Sequence, residues 1–137
     1  EVIKASFSIL FIELVRFKQK DEADDGKTVE KNQDRLDDFM ELLDLHISKI
    51  KQPAEYAKMM NLTPYQLNTI TKTAVGKTSS ELITEQIILE SKRYLLSTSN
   101  QVKEIAYHLG YEDTSYFIRF FKKYTGLSPE AFRSSFS

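Results

Sequence analysis

The sequence predicts an all-α protein with two helix-turn-helix subdomains bridged by a long linker helix and preceded by two amphipathic helices. Apolar residues recur at spacings of three and four, the period of a helix rather than of a strand. Helix breakers are few, with 4 glycines and 3 prolines in 137 residues. Residues 54–82 are echoed by residues 103–132, which indicates an internal repeat.

Two amphipathic helices are expected before the repeat. The first shows an apolar stripe at Ile3, Phe7, Leu10, Leu14 and Phe17. This stripe is wide enough to need a partner, so a homodimer through the N-terminal helix is an expectation. The second helix shows a stripe at Leu36, Phe39, Leu43, Ile47 and Ile50. The acidic segment 21–34 between them has little to bury and is predicted to be a flexible loop.

The predicted division places a helical linker with a possible role in dimerisation in residues 1–51 and a second domain in residues 52–137. The latter is expected to hold a first helix-turn-helix at about 53–75, a linker helix at about 79–97, a second helix-turn-helix at about 101–124 and a final helix at about 128–136. Because the chain begins at Glu1 rather than a methionine, we expect it to be a fragment of a longer protein.

Local signals set the helix boundaries in this region. Thr63 is a candidate N-cap with Pro64 in the first turn, and Gly76 is suited to the left-handed C-cap of the same helix. The next helix starts at Thr78 or Ser79 and contains no glycine or proline. Its 19 residues, Ser79 to Ser97, correspond to a rigid spacer of about 28 Å between the two units.

The two copies of the repeat carry matching residues at their turns and at the end of their second helices. Ala57 matches Ala106 and Asn61 matches Gly110 at an offset of 49, whereas Gly76 matches Gly126 at an offset of 50. One residue has therefore been inserted at the turn of the second copy. In each copy, a small alanine permits close helix packing, and a residue that tolerates positive φ makes the turn.

The second copy resembles the C-terminal domain of the AraC/XylS family of transcription regulators. The residues that fill the family pattern are Ile105, Ala106, Gly110, Tyr111, Ser115, Phe117, Phe121, Lys122, Gly126, Pro129, Phe132 and Arg133. Twelve residues at fixed spacing are far more specific than a short motif. The resemblance covers about residues 53–136 and implies that residues 52–137 form a DNA-binding domain. It also implies that residues 1–51 are the helical end of a regulatory portion, with a signal-sensing portion before Glu1.

The resemblance implies a bacterial regulator that inserts two recognition helices into successive major grooves of promoter DNA, with RNA polymerase as a further partner. The candidate DNA-binding residues are Tyr65, Gln66, Asn68, Thr69, Lys72, Thr114, Ser115, Arg119, Lys122 and Lys123. We expect the groove-facing side chains among them to be solvent-accessible. Where many family members carry Arg and then Phe in the first recognition helix, this chain has Thr69 and Thr71, which allow hydrogen bonds to bases but no charge-assisted contact to guanine.

The overall charge of −1 argues against a polyanionic partner until its distribution is considered. Residues 1–51 hold 9 basic and 12 acidic residues, whereas the remainder holds 10 basic and 8 acidic ones. Acidic residues are thus concentrated outside the part expected to contact DNA. The C-terminal part is mildly basic.

Other chemistries find little support in the residues. Without cysteine, disulfides and thiolate sites are excluded, and a cytoplasmic location is the default expectation. His46 and His108 stand apart from other metal ligands, so neither a metal nor a cofactor is predicted. No membrane span, nucleotide loop or catalytic set is recognisable, which favours a protein that is not an enzyme. A helical protein-interaction adaptor without DNA binding remains the alternative, to be distinguished by the salt dependence of DNA affinity.

Overall fold

The computed structural model describes residues 26–136, with side chains from residue 30, and within this range every regular element is a helix. The helices are α1 (Gly26–His46), α2 (Pro53–Met59), α3 (Pro64–Val75), α4 (Ser79–Ser97), α5 (Val102–His108), α6 (Thr114–Thr125) and α7 (Pro129–Ser134). The all-α prediction is confirmed. The wide apolar stripe predicted for a first helix lies outside the described residues.

Helix α1 corrects the prediction of a flexible loop at 21–34, since residues 26–34 are helical. Lys27, Glu30, Lys31 and Gln33 of residues 26–34 have helix propensities close to that of alanine. Gln33 is buried one turn before the first core leucine, so the segment continues an already packed helix and needs no nucleus of its own. The high charge therefore marks a solvated helix face.

The first helix-turn-helix unit is built on α1, α2, α3 and the first half of α4. Its core brings together the predicted stripe of α1, the short α2 and the inner face of α3. The members of this first core are Leu36, Phe39, Leu43, Ile47, Tyr56, Ala57, Leu67, Ile70, Leu82, Ile83 and Ile87. Helix α1 is thus part of the core of the first unit rather than a separable preceding element.

Tyr56 shows how this core accommodates a polar atom. Its side chain is fully buried, and its hydroxyl donates a hydrogen bond to the Ile50 carbonyl at 2.6 Å. Its ring lies edge-on to Phe39, with centroids 5.6 Å apart. Burial raises the pKa of Tyr56 to about 12, with the nearby Glu55 carboxylate adding to the shift.

The second unit is built on the end of α4, α5, α6 and α7. Its core consists of Leu95, Val102, Ile105, Ala106, Leu109, Phe117, Phe121 and Phe132. Arg133 of α7 donates hydrogen bonds to the carbonyls of Leu95 at 2.9 Å, Asn100 at 2.7 Å and Thr98 at 3.2 Å. This side chain binds the carbonyl end of the linker helix α4 and the loop after it.

The turns of the two units are equivalent, as the repeat predicts. Asn61 has φ of 56° and Gly110 has φ of 86°, and each is the positive-φ residue that ends the first helix of its unit. Ala57 and Ala106 are both fully buried, and their carbonyls accept from the residue after each turn at 2.8 and 2.9 Å. The inserted residue lies between Gly110 and the next helix cap, which confirms the single insertion.

Candidate nucleic-acid interface

Helix α3 is the second helix of the helix-turn-helix pair α2–α3, and α6 is the second helix of the pair α5–α6. Each of them spans 12 residues. Thr63 caps α3 by accepting from the Gln66 amide at 3.1 Å, while Gln66 Oε1 accepts from the Thr63 amide at 2.9 Å. This reciprocal pair is a capping box. Asp113 caps α6 by accepting from the amides of Ser115 and Tyr116 at 2.9 and 3.3 Å.

Both helices end in the same way. Gly76 follows α3 with φ of 72°, and Gly126 follows α6 with φ of 83°. Only glycine adopts this left-handed conformation without steric cost, which explains the matched glycines at the ends of the repeat. The C-cap predicted for Gly76 is confirmed.

The inner faces of the two helices carry their packing residues. Leu67 and Ile70 of α3 are buried in the first core, and Phe117 and Phe121 of α6 are buried in the second. Thr71 is also fully buried, and its hydroxyl donates to the Asn68 carbonyl at 3.2 Å. The expectation that Thr71 is available to bases is therefore wrong, because it occupies the position that Phe121 fills in the second unit.

The outer face of α3 carries four of the five residues expected to contact DNA. Tyr65, Gln66, Thr69 and Lys72 are exposed, as predicted, and Tyr65 retains 81% of its surface. The Thr69 hydroxyl donates to the Tyr65 carbonyl at 3.0 Å, within the helix. This face offers hydroxyl and amide groups with a single cation.

Asn68 is less exposed than the sequence predicts. Its side chain is half-buried, and Oδ1 accepts from the amide of Ser79 at 2.9 Å and from the Ser79 hydroxyl at 2.6 Å. Asn68 lies at the edge of the α3 outer face, turned toward the N-terminus of α4, whose amides lack partners within the helix. The predicted exposure of Asn68 is wrong, and its carbonyl oxygen is engaged by the linker helix.

The outer face of α6 is more basic. Ser115, Arg119, Lys122 and Lys123 are exposed, as predicted, whereas Thr114 is half-buried in the first turn. The Lys123 ammonium lies 5.4 Å from the centroid of the Tyr124 ring, close enough for a cation–π contact. Together α3 and α6 carry four basic side chains and no acidic one, in a chain with 20 acidic residues.

A fifth basic side chain near this surface, Lys77, is paired with a carboxylate. Lys77, in the loop after α3, donates to Glu85 Oε1 at 2.5 Å. That hydrogen bond raises the pKa of the Lys77 ammonium. The Glu85 carboxylate of α4 balances the positive charge of Lys77, whereas the basic side chains of α3 and α6 lie on helices without a carboxylate.

The predicted set of DNA-contacting residues does not include every exposed side chain of these two helices. Thr73 of α3 and Tyr116 of α6 are both exposed. The repeat carries the signal that could have found them, since an offset of 50 pairs Thr73 with Lys123 and Tyr116 with Gln66. Equivalent positions on the two helices should present equivalent surfaces.

Two further structural findings concern other classes of site. Among residues 26–136, no group of three His, Asp or Glu side chains is arranged to hold a metal ion. Over the same residues, none of the helices combines the length and the apolar character needed to cross a membrane.

Comparison with known proteins connects this arrangement to a family. A family model described as a helix-turn-helix domain matches residues 56–135. The chain is 34% identical over 76 residues to the raffinose operon transcriptional regulatory protein RafR of Pediococcus pentosaceus, covering 56% of this chain and 27% of RafR. It is 31% identical over 98 residues to AdaA of Bacillus subtilis, a bifunctional transcriptional activator and DNA repair enzyme, covering 72% of this chain and 46% of AdaA. The chain thus spans less than half the length of these curated relatives.

Solved structures share the fold. The C-terminal domain of AraT, a response regulator from Geobacillus stearothermophilus, matches with a TM-score of 0.65 at 28% identity, over 71% of this chain and 81% of that domain. The C-terminal domain of the response regulator yesN from Fusobacterium nucleatum matches with a TM-score of 0.67 at 24% identity, over 73% and 98%. The DNA-binding domain of AdpA, solved with a target DNA, matches with a TM-score of 0.62 at 19% identity, over 69% and 85%. With its paired helix-turn-helix units and the family match over more than half its length, the chain belongs to the AraC-type helix-turn-helix family of transcriptional regulators.

Proposed function

We propose that this chain binds promoter DNA sequence-specifically by placing α3 and α6 in successive major grooves. The observation that carries the proposal is the pair of equivalent helices whose outer faces hold basic and polar side chains and no carboxylate. A major groove admits a helix, and a 19-residue linker helix of about 28 Å joins the two units. The AdpA domain, which has the same fold, was solved with a target DNA, and this supports the proposal.

We assign different roles to the two helices. On α6, Arg119 is suited to a bidentate contact with guanine, while Lys122 and Lys123 are suited to phosphates. On α3, Tyr65, Gln66 and Thr69 offer polar contacts to bases, and Lys72 offers a phosphate contact. Because α6 holds three of the four cations, the second unit should supply more of the electrostatic affinity.

The N-terminal end of α6 provides the remaining contacts in this proposal. Thr114 and Ser115 lie in the first turn of α6 and offer their side-chain hydroxyls to the DNA, since Asp113 already accepts from the Ser115 amide. Asn68 is assigned to the linker helix instead of to bases, because its carbonyl oxygen is bound to Ser79.

Selection from random duplex DNA followed by titration tests the proposal. The selected duplex should bind more tightly than a scrambled duplex, and affinity should fall steeply as salt is raised, because each phosphate contact releases a counterion. The three phosphate contacts assigned to Lys72, Lys122 and Lys123 correspond to a slope of about −2.7 in log affinity against log salt. Absence of any DNA binding at low salt would reject the proposal in favour of a protein-binding adaptor.

The proposal includes no catalytic step. The relatives are transcriptional regulators, and AdaA, which is also a DNA repair enzyme, is a protein of which this chain covers 46%. We assign no cofactor to the chain, and we place it in the cytoplasm, where promoter DNA is accessible to a bacterial regulator.

A homodimer through residues 2–17 belongs to the same proposal, as does contact with RNA polymerase at the promoter. The support for dimerisation is the apolar sequence of residues 2–17, which includes five residues on one helical stripe. Deletion of residues 1–25 leaves α1 intact and should halve the mass measured by light scattering. An unchanged mass would reject dimerisation through this segment. Cross-linking to RNA polymerase on the selected promoter tests the second contact.

A further inference from the structure

The two units contact each other at a second place besides the linker helix. Tyr111 follows the turn of the second unit and packs against both cores, and Phe120 of α6 packs against the first core. Ser48 and Lys51, between α1 and α2, face the turn residue Gly110. We call this contact the seam, formed by Ser48 and Lys51 from the first unit and by Gly110, Tyr111 and Phe120 from the second.

The approach at the seam is too close for any side chain on residue 110. A Cβ atom there would lie 1.9 Å from the Ser48 carbonyl oxygen and 2.7 Å from Lys51 Nζ. Lys51 Nζ donates to the same carbonyl at 3.2 Å and lies 4.9 Å from the centroid of the Tyr111 ring. Because the nearest atom is a backbone carbonyl, a side chain at residue 110 would require the two units to separate.

The first unit shows that the turn alone does not demand glycine. Asn61 holds the equivalent position with φ of 56°, so an asparagine can make this turn. Gly76 and Gly126 also have positive φ, yet a Cβ on either would have no heavy atom within 4 Å. The close approach is thus specific to Gly110, and it arises from contact between the units.

The seam includes the DNA-reading helix itself. Phe120 lies between Arg119 and Phe121 on α6, so a shift at the seam moves the same helix that carries Arg119. Tyr111 connects the two sides, because Lys51 Nζ of the first unit lies 4.9 Å from its ring centroid and the Phe117 ring of the second unit lies 5.4 Å from it. The linker helix fixes how far apart the units are, and a second contact away from it opposes rotation of one unit relative to the other.

We propose that the seam holds α3 and α6 in one relative orientation, so that Gly110, Tyr111 and Lys51 are positioning residues for two-groove DNA binding. The inference rests on the proposed function for its DNA consequence, while the orientation itself is measurable without DNA. If the relative orientation of the two units is fixed before binding, no entropy is lost in ordering them on the duplex. The chain should then favour operators with one particular distance between the segments that the two units read.

Spin-label distances test the orientation. The chain has no cysteine, so Thr73→Cys with Lys123→Cys labels exposed positions of α3 and α6 alone. Pulsed electron paramagnetic resonance on the full chain should give one narrow distance distribution. Gly110→Asn should shift or broaden that distribution, because asparagine suits the φ but its Cβ meets the Ser48 carbonyl. Asn61→Gly, the matched change in the first unit, should leave it unaltered.

A milder variant keeps the test decisive if Gly110→Asn fails to fold, as judged by circular dichroism. Lys51→Ala removes the ammonium between Ser48 and Tyr111 and leaves every buried core side chain in place. Lys51→Ala should shift or broaden the spin-label distance distribution as Gly110→Asn does. A parent distribution that is already broad, or one unchanged in Lys51→Ala and in folded Gly110→Asn, overturns the inference.

DNA spacing provides the second readout. One base pair inserted between the segments read by the two units should weaken binding of the parent chain about tenfold or more, the scale of one lost base contact. In the seam variants this discrimination should fall to about twofold, since freely rotating units adapt to either spacing. Absence of DNA binding by the parent chain rejects the proposed function, and the spin-label distances still decide the seam. Binding with unchanged discrimination and unchanged distances rejects the seam alone.

Discussion

Asn68 and Ser79 connect the first recognition helix to the start of the linker helix. The Asn68 carbonyl oxygen accepts both the amide and the hydroxyl of Ser79, at 2.9 and 2.6 Å, and Ser79 is fully buried. At the other end of the same helix, Arg133 of the second unit binds the carbonyl of Leu95 at 2.9 Å. Each unit thus supplies one polar side chain to its own end of α4. Asn68 accepts from an amide at the N-terminal end, and Arg133 donates to a carbonyl at the C-terminal end, where the backbone groups of a helix lack partners within the helix.

The first prediction concerns Asn68→Ala. This change leaves the amide and hydroxyl of the buried Ser79 without their acceptor, so the free energy of unfolding should fall by about 1–3 kcal/mol. Urea denaturation measures the difference. Thr73→Ala, at an exposed site of the same helix, is the control and should change stability by no more than about 0.5 kcal/mol. Unchanged stability combined with an altered operator preference would return Asn68 to the base-reading face.

The second prediction concerns Arg133→Lys. A lysine keeps the charge but cannot direct donors at the carbonyls of Leu95, Thr98 and Asn100 at once. Stability should fall by about 1.5–3 kcal/mol, the scale of hydrogen bonds from a charged donor. The same substitution at the exposed Arg119 should leave the urea midpoint in place. Equal effects of the two substitutions would show that the three carbonyl contacts contribute nothing specific.

The elements predicted correctly from sequence depend on local chemistry. The two ends of α3, at Thr63 and Gly76, are predictable because a cap and a left-handed turn involve only neighbouring residues. The repeat identifies the turn residues Asn61 and Gly110, since the chain adopts a positive φ at the same place in both copies. The outer faces of α3 and α6 followed from helical spacing, which is why most expected DNA-contacting residues are exposed.

The errors arose where a residue interacts with a distant segment. Asn68 lies at the edge of an outer face, and only the packed position of α4 reveals that its oxygen binds Ser79. The closeness of Gly110 to Ser48 depends on how the two units meet, which no local pattern records. Residues 26–34 were predicted as loop from their charge, although Gln33 is buried against the fold and extends α1.

The third prediction concerns the acidic cap of α6. Asp113→Asn preserves a good N-cap while it removes a negative charge from the helix end that we place nearest the DNA. Affinity for the selected operator at low salt should rise about two- to fivefold, which corresponds to about 0.3–1 kcal/mol. Glu130→Gln, the same loss of charge in the first turn of α7, is the control and should have a smaller effect. Equal gains for both variants would indicate a general charge effect with no proximity of Asp113 to phosphates.

The last prediction separates base reading from phosphate attraction on α6. Arg119 lies one helical turn beyond Ser115 on the exposed face, and Lys123 lies one turn further, in the last turn of the helix. Arginine pairs bidentately with guanine, so Arg119→Ala should cost about 1–3 kcal/mol on the selected operator and relax the preference at one base pair.

Lys123→Ala, by contrast, should weaken binding to operator and scrambled duplexes alike and reduce the salt slope by about one unit, because one phosphate contact is lost. Fluorescence anisotropy titrations of both variants against both duplexes at several salt concentrations make the comparison. Equal losses on both duplexes for Arg119→Ala would reject its direct contact with a base and leave it as a phosphate ligand like Lys123. A loss confined to the operator for Lys123→Ala would exchange the two assignments and would place the C-terminal end of α6, rather than its middle, against the base edges.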